Sequence, residues 1–298
     1  MKQRIIVILL FVMATFCAEA QTNESTFLMK VGKGKLYLLS EGQRKGNTSI
    51  LIGAKPEITQ KYAPDNSFPM ATNAFLWQID GKNFLFDTGY GEALFNNLRS
   101  LQIKPEDINA IFITHMHGDH IGGLLRNDKV AFPKAKLYLS KAEYNYWTND
   151  DTIKQMPESS RGGFLAAKKV VEAYKDQLVL FEPNAINSSV YKELGFGVLA
   201  LAAYGHTPGH IAYLIHSVYD RLLIWGDVAH AMAVQMPYPE IAVTYDTNPK
   251  LAVQSRLAIL KLVSGGIPVA GMHIPYPGMG TIEKSQSGYR FIPASGPK

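Results

Sequence analysis

Cysteine is all but missing from this 298-residue chain, with Cys17 the only one. It falls within a segment that reads as a removable leader, so the mature protein would have no disulfide and no thiolate ligand. Any metal would then be held by nitrogen and oxygen. Charge is sparse too, at 18% Asp, Glu, Lys and Arg against 47% hydrophobic residues, a balance that excludes a disordered or fibrous chain. The net charge of +5 includes no Lys/Arg run of the kind that grips phosphate backbones, which argues against a nucleic-acid partner. No stretch rich in Pro, Gly or Ser divides residues 21–298, which read as one domain. The apolar stretch Ile5–Phe16 falls short of the roughly 20 residues a membrane-spanning helix needs.

That apolar stretch fits a signal peptide over residues 1–20. Lys2 and Arg4 form a basic start, and Ala18-Glu19-Ala20 is a small-x-small cleavage signature. A buried N-terminal helix is the alternative. Lipid attachment at Cys17 would call for a small residue just before it and Leu three before, where Phe16 and Ala14 stand. Plain cleavage, no stable membrane anchor, and a periplasmic or secreted protein are therefore expected.

Alternating apolar runs predict strands at Thr26–Val31, Lys35–Leu39, Ala74–Ile79 and Asn83–Phe86, with Gly81-Lys82 as a hairpin turn. Helical spacing covers Glu92–Leu101, a polar stretch from Lys141, Gly163–Tyr174 and Pro249–Val263. Short buried strands are predicted at Ala110–Ile113, Lys136–Leu139 and Ile267–Ala270, and a strand-rich block at Leu178–Ile224. Lys82–Gly89 and Asp220–Asp227 echo each other as turn, apolar strand and Asp. Two such halves suit an α/β protein with two sheets packed between helical layers.

Three of the eight histidines fall within six residues, His115-Met116-His117-Gly118-Asp119-His120, directly after the strand Ile111–Ile113. In extended backbone His115 and His117 point the same way. Gly118 lets the chain turn into a helix, so Asp119 and His120 aim elsewhere. Further ligands stand in the Gly/Pro turn Gly205–His210, which contains His206, and at strand ends, as Asp227 after Leu222–Trp225 and His273 after Pro268–Ala270. Taken singly, such residues are ordinary turn or capping groups. Jointly, five histidines and two aspartates exceed what one catalytic zinc takes, which is about three protein ligands and a water. They suit two ions with three ligands each and a shared carboxylate, zinc or another divalent first-row metal.

This set resembles the metallo-β-lactamase superfamily, whose H-x-H-x-D-H hallmark stands here as His115 to His120. The likeness extends to Phe86-Asp87-Thr88-Gly89, Gly205–His210, Gly226-Asp227 and His273. Gly226–Glu240, Asp246 and Gly271–Gly280 are similar to the branch of methyl parathion hydrolase and the quorum-quenching lactonases. The resemblance implies a four-layer αββα sandwich. It places His115, His117 and His206 on one Zn2+ ion and Asp119, His120 and His273 on a second, with Asp227 bridging and Asp87 orienting ligands. It implies a hydroxide between the ions that opens lactones or related ester bonds, with organophosphate esters as further substrates, and Asp119, Asp227 and His230 in catalysis. A small-molecule ester or lactone is the expected partner, and a homodimer is compatible.

Departures within the superfamily narrow the choice: there is no cysteine ligand as in true β-lactamases, and no room for the inserted domain of the RNA-processing members. A mononuclear iron persulfide dioxygenase, a glyoxalase II-like thioesterase and a non-catalytic envelope binding protein are the alternatives. His230 stands where related lactonases carry a substrate-contacting Tyr. His210 reads as a structural partner of the His206 turn, and His216 as a strand-face residue. The apolar loops at Met232, Met236–Pro239 and Ile274–Pro277 are expected to wall a pocket for acyl or aryl groups.

Overall fold

The computed structural model describes residues 26–217 and 219–296. The predicted leader, its cleavage site and Cys17 lie outside the described residues. Two seven-stranded sheets dominate, and in each the strands lie side by side in chain order. The first contains β1 (Thr26–Val31), β2 (Gly34–Asn47), β3 (Ser67–Ile79), β4 (Lys82–Phe86), β5 (Ile108–Phe112), β6 (Lys136–Ser140) and β7 (Leu178–Phe181). The second contains β8 (Glu193–Gly195), β9 (Val198–Ala202), β10 (Ile211–His216), β11 (Arg221–Ile224), β12 (Val269–Ala270), β13 (Met279–Ser285) and β14 (Gly288–Pro293).

The echo seen in the sequence is structural. In each sheet the first four strands run as an antiparallel meander and the fifth joins the fourth in parallel, β4 to β5 and β11 to β12. Asp87 follows β4 and Asp227 follows β11, while the His115–His120 run follows β5 and His273 follows β12. Parallel neighbours end on the same side, so all of these groups emerge at one edge of the sandwich.

Apolar residues alternate because each sheet is covered on both faces. Phe75, Trp77, Phe84, Phe86 and Phe112 of the first sheet face Ile211, Tyr213, Leu222 and Ile224 of the second in one inter-sheet core. The opposite face of the first sheet, through Leu76, Leu85 and Ile111, packs on α1 (Leu94–Ser100), α2 (Lys141–Thr148) and α3 (Glu158–Ala173). The outer face of the second sheet, through Leu201, Ala212 and Leu223, packs on Ile259, Leu260 and Val263 of α4 (Pro249–Val263). This is the four-layer αββα sandwich that the sequence predicts. At the edge where the ligand loops emerge the sheets are tied together. Ile211 N donates to Thr114 O at 2.9 Å and Tyr213 OH to Ile113 O at 2.7 Å, and Asn73 Nδ2 donates to Gly271 O at 3.0 Å and Ile274 O at 2.8 Å.

β2 runs well past the predicted Leu39. A bulge between Ser40 and Gly42 re-aims it, and residues 43–47 continue as strand opposite Ala71 to Ser67 of β3. Among the described residues no helix is long and apolar enough to cross a membrane.

Candidate metal centre

Each ligand-bearing loop is fixed by its own contacts. After β5 the chain stays extended through His117 (φ −66°, ψ 155°) and then turns into the short helix Gly118–Ile121. That places His115 and His117 on one side and Asp119 and His120 on the other. Asp227 is set by Gly226 at φ +60°, where a Cβ would lie 2.4 Å from His210 Nε2. That same nitrogen accepts the Asp227 backbone N–H at 2.9 Å, while His210 Nδ1 donates to Ala203 O at 2.9 Å. His210 is thus a buried peg under Asp227. His216, by contrast, pairs with Glu193 away from the site.

The predicted residues converge. His115, His117, His206 and Asp227 form one set whose ligand atoms all lie within 4.8 Å of one another, and Asp119, His120 and His273 form a second. Asp227 faces both: its Oδ2 is 3.2 Å from His206 Nε2 and 3.0 Å from His273 Nε2, and its Oδ1 is 3.2 Å from His120 Nε2. His230 joins Asp227 and His273 in a further cluster, with its Nε2 3.0 Å from Asp227 Oδ2. His115, His120, His206, Asp227, His230 and His273 are buried, while His117 and Asp119 are partly exposed.

The outward nitrogens of the ring ligands are occupied. Carboxylates and carbonyls can only accept, so His120 Nδ1 donates to Asp87 Oδ2 (2.6 Å), His206 Nδ1 to Asp246 Oδ1 (2.9 Å) and His273 Nδ1 to Ala71 O (2.9 Å). Thr114 Oγ1 gives its proton to Asp87 Oδ2 at 2.6 Å and accepts from His115 Nδ1 at 3.1 Å. These bonds leave the Nε2 lone pairs aimed inward, the arrangement that outer partners impose on metal-binding histidines. His117 is reversed: its Nδ1 faces inward, 2.9 Å from His115 Nε2 and 3.1 Å from His206 Nε2. Three imidazole nitrogens at this spacing repel unless protons or a cation lie between them. His120 Nε2 and Asp227 Oδ1 lie 3.2 Å apart but out of line for a hydrogen bond, and neither has another partner, which is costly in a protein interior. The donor set therefore fits divalent cations.

Electrostatics agrees with the geometry. Burial alone would raise the Asp227 carboxyl, but the surrounding imidazoles, His120 and His273 foremost, hold it well below the usual range. Burial likewise opposes charge on His206, yet the hydrogen bonds it donates to Asp227 and Asp246 lift it to about 9. Burial and the neighbouring His206 push His117 down to about 3. Burial depresses His230 to about 4 against the pull of Asp227, so it is neutral near pH 7.

Glu143 was not among the expected residues. It lies fully buried on α2, where Oε1 accepts from Met116 N (2.9 Å) and Trp147 Nε1 (2.5 Å), and Oε2 from Thr207 Oγ1 (2.7 Å) and Gly209 N (3.0 Å). One carboxylate thus clamps the His115–His117 loop to the His206–His210 loop. Nothing in the polar stretch from Lys141 distinguishes it; only the fold brings its four donors together. Asp246, which the sequence singles out only by resemblance, is the partner that orients His206.

The expected pocket wall is corrected. Met232, Met236 and Pro237 line a cavity of about 430 Å³ with Tyr62, Tyr289 and Phe291, but it is separate from the one over the candidate ligands. Ile274 is buried in the outer core of the second sheet, Tyr238 packs edge-on against Tyr62, and Tyr276 packs on Phe27. The cavity over the ligands, about 570 Å³, is walled instead by Arg44, Lys45, Met70, Tyr90 and Tyr245.

Comparison with known proteins adds to this geometry. The family model described as the metallo-beta-lactamase superfamily matches residues 68–270. A probable metallo-hydrolase of Mycobacterium tuberculosis is 27% identical over 138 residues, 46% of this chain and 42% of that protein. The chain thus spans under half the length of that relative. The N-acyl homoserine lactonase AttM of Agrobacterium fabrum is 25% identical over 139 residues, 46% of this chain and 47% of AttM. Among solved structures, the dizinc quorum-quenching lactonase AidC, in complex with a hydrolysis product, superposes with a TM-score of 0.80 at 26% identity. It covers 93% of this chain and 100% of AidC. The hydrolase AbOPH shares the fold with a TM-score of 0.80 at 24% identity, covering 92% of this chain and 99% of AbOPH.

Proposed function

The chain belongs to the metallo-β-lactamase superfamily, and from that premise we propose that it is a two-metal hydrolase that opens lactones or related carboxylic esters. His115, His117 and His206 would hold one ion, Asp119, His120 and His273 the other, and Asp227 both. The observation that carries this reading is Asp227, which touches both ligand sets: its Oδ2 lies 3.2 Å from His206 Nε2 and 3.0 Å from His273 Nε2, and its Oδ1 lies 3.2 Å from His120 Nε2. An imidazole and carboxylate set without thiolate accepts several divalent metals, and zinc is the one proposed. When bound at such a site, a divalent ion lowers the pKa of water from about 15.7 to about 7 and draws charge from a substrate oxygen.

The side chains supply the rest. Asp227, kept ionised by its imidazole neighbours, accepts a hydrogen bond from the attacking water and holds it in line. Asp119 is the more open carboxylate and lines the cavity, so it is placed to pass a proton toward the leaving oxygen. Neutral His230 has one ring N–H, which it can turn from Asp227 to the substrate oxygen. The dizinc lactonase AidC and AttM support a lactone substrate. A human acyl-coenzyme A thioesterase, 26% identical over 195 residues, supports including thioesters in any screen. A one-iron dioxygenase would leave the Asp119, His120 and His273 set without a purpose. Export through residues 1–20 belongs to the same proposal, and N-terminal sequencing of the exported protein, expected to begin at Gln21, checks it.

The test is hydrolysis of a panel of N-acyl homoserine lactones, simple lactones, phosphotriesters and thioesters by the zinc-loaded protein. Turnover of lactones or carboxylic esters that is lost on chelation is expected. Failure to turn over any member of the panel with both ions bound would reject the reading.

A further inference from the structure

The wall of the cavity narrows the substrate class. Past the bulge at Ser40 to Gly42, the distal part of β2 runs along the cavity, and Arg44, paired with Met70, is the basic residue on its cavity face, with Lys45 next to it on the opposite face of the strand. The Arg44 guanidinium lies 5.2 Å from the centre of the Tyr90 ring, a cation–π contact that holds it while leaving its N–H donors free. Among the described residues neither Arg44 nor Lys45 has a side-chain hydrogen-bond or ion-pair partner, so both are free to meet a ligand's charge.

The nearby acid that could neutralise them is engaged elsewhere. Glu41 accepts from the backbone N–H groups of Tyr90 (2.7 Å), Gly91 (2.8 Å) and Ala93 (3.3 Å). Apart from Asp119 and Asp227, which belong to the ligand cluster, no acidic side chain lines the cavity. Its remaining wall, Ile50, Met70, Tyr90 and Tyr245, suits a short apolar or aromatic body.

Resting on the hydrolase reading above, we propose that the substrate carries an anionic group, a carboxylate or a phosphate, which Arg44 binds while its ester lies over the ligand cluster, with Lys45 adding positive charge nearby. Arg44 is thus a specificity-determining residue, and the preferred substrates are anionic esters rather than neutral ones. Guanidinium and ammonium groups both recognise carboxylate and phosphate oxygens through charge-assisted hydrogen bonds, so the anion's identity is left to the experiment.

The test uses three aryl esters of equal length whose acyl ends carry a methyl, a carboxylate or a phosphonate, assayed with the zinc-loaded protein. At least one anionic ester is expected to exceed the methyl ester by about tenfold in kcat/KM, chiefly through KM, which corresponds to ~1.4 kcal/mol. The advantage should shrink as salt is raised. Preference for the carboxylate alone or the phosphonate alone identifies the anion, and preference for both supports the shared chemistry. In the variant R44Q the ratio of anionic to neutral kcat/KM should fall to about one. A wild-type ratio at or below one, or an advantage that survives in R44Q, overturns the assignment. Hydrolysis of none of the three by protein with both ions bound rejects the hydrolase reading itself, and this inference with it.

Discussion

Replacing Glu143 probes how the two ligand loops are held together. The side chain never reaches the cavity, yet its four hydrogen bonds join Met116 and Trp147 to Thr207 and Gly209. Burial pushes its carboxyl up, and those four donors pull it back. In Glu143→Gln one oxygen becomes an NH2 group that faces two donors. Each buried donor left unsatisfied costs about 1–3 kcal/mol, so a loss of about 2–6 kcal/mol follows for the two. That is a large part of the 5–15 kcal/mol that typically stabilises a folded chain. With about 2–4 °C per kcal/mol for chains of somewhat smaller size, the melting temperature of the metal-free protein should fall by roughly 5 °C or more. Because the clamp sets the spacing of His115 and His117 relative to His206, metal affinity should also fall, by about 10–100-fold as for other outer-partner losses. Calorimetric melting and chelator competition read these two effects separately. A Glu143→Gln protein that melts and binds metal like the wild type would refute the clamp.

Other perturbations test other parts of the site. Asp227→Ala should abolish most turnover and lower the metal content measured by elemental analysis; undiminished values for both would contradict the shared-carboxylate role. Asp246→Asn removes the acceptor charge behind His206 Nδ1 and should weaken metal binding about tenfold or more in chelator competition, with little effect if His206 were not a ligand. Gly226→Ala puts a Cβ against His210 Nε2 at a φ of +60°. The backbone strain alone costs about 1–3 kcal/mol, so a lower melting temperature and loss of metal are expected, and a variant with neither change would exclude a strained turn. In the metal-free protein His206 is raised to about 9 and His120 well above its usual value. Both hold protons at pH 7 that ligation must displace. Metal loading should therefore release protons, with apparent affinity climbing as pH rises toward about 9; calorimetry in buffers of different ionisation enthalpy that detects no release would count against this.

Much of the sandwich can be read from the sequence because each layer imposes its own period. Trp77, Phe84, Phe86 and Phe112 sit between the sheets while Leu76, Leu85 and Ile111 face the helices, so strands buried on both sides read as near-continuous apolar runs. The candidate ligand cluster is legible because His115 to His120 fall together in the chain, and because Asp227 and His273 each close a buried strand. What escaped notice is what only three dimensions supply. Residues 41–47, Glu-Gly-Gln-Arg-Lys-Gly-Asn, have no apolar alternation and read as a loop; pairing with β3 makes them strand. The cavity wall is hidden from the sequence for the same reason, since Arg44 and Lys45 stand on that segment and not on the Met- and Pro-rich loops. Glu143 offers no local signal, because its partners come from loops 27 and more than 60 residues away.

Metal stoichiometry coupled to turnover tests the central claim most directly. Metal-free protein titrated with Zn2+ should gain lactone-hydrolysing activity that saturates at two equivalents per chain, with elemental analysis after dialysis also giving two. Saturation at one equivalent, or activity that persists in fully chelated protein, would contradict it.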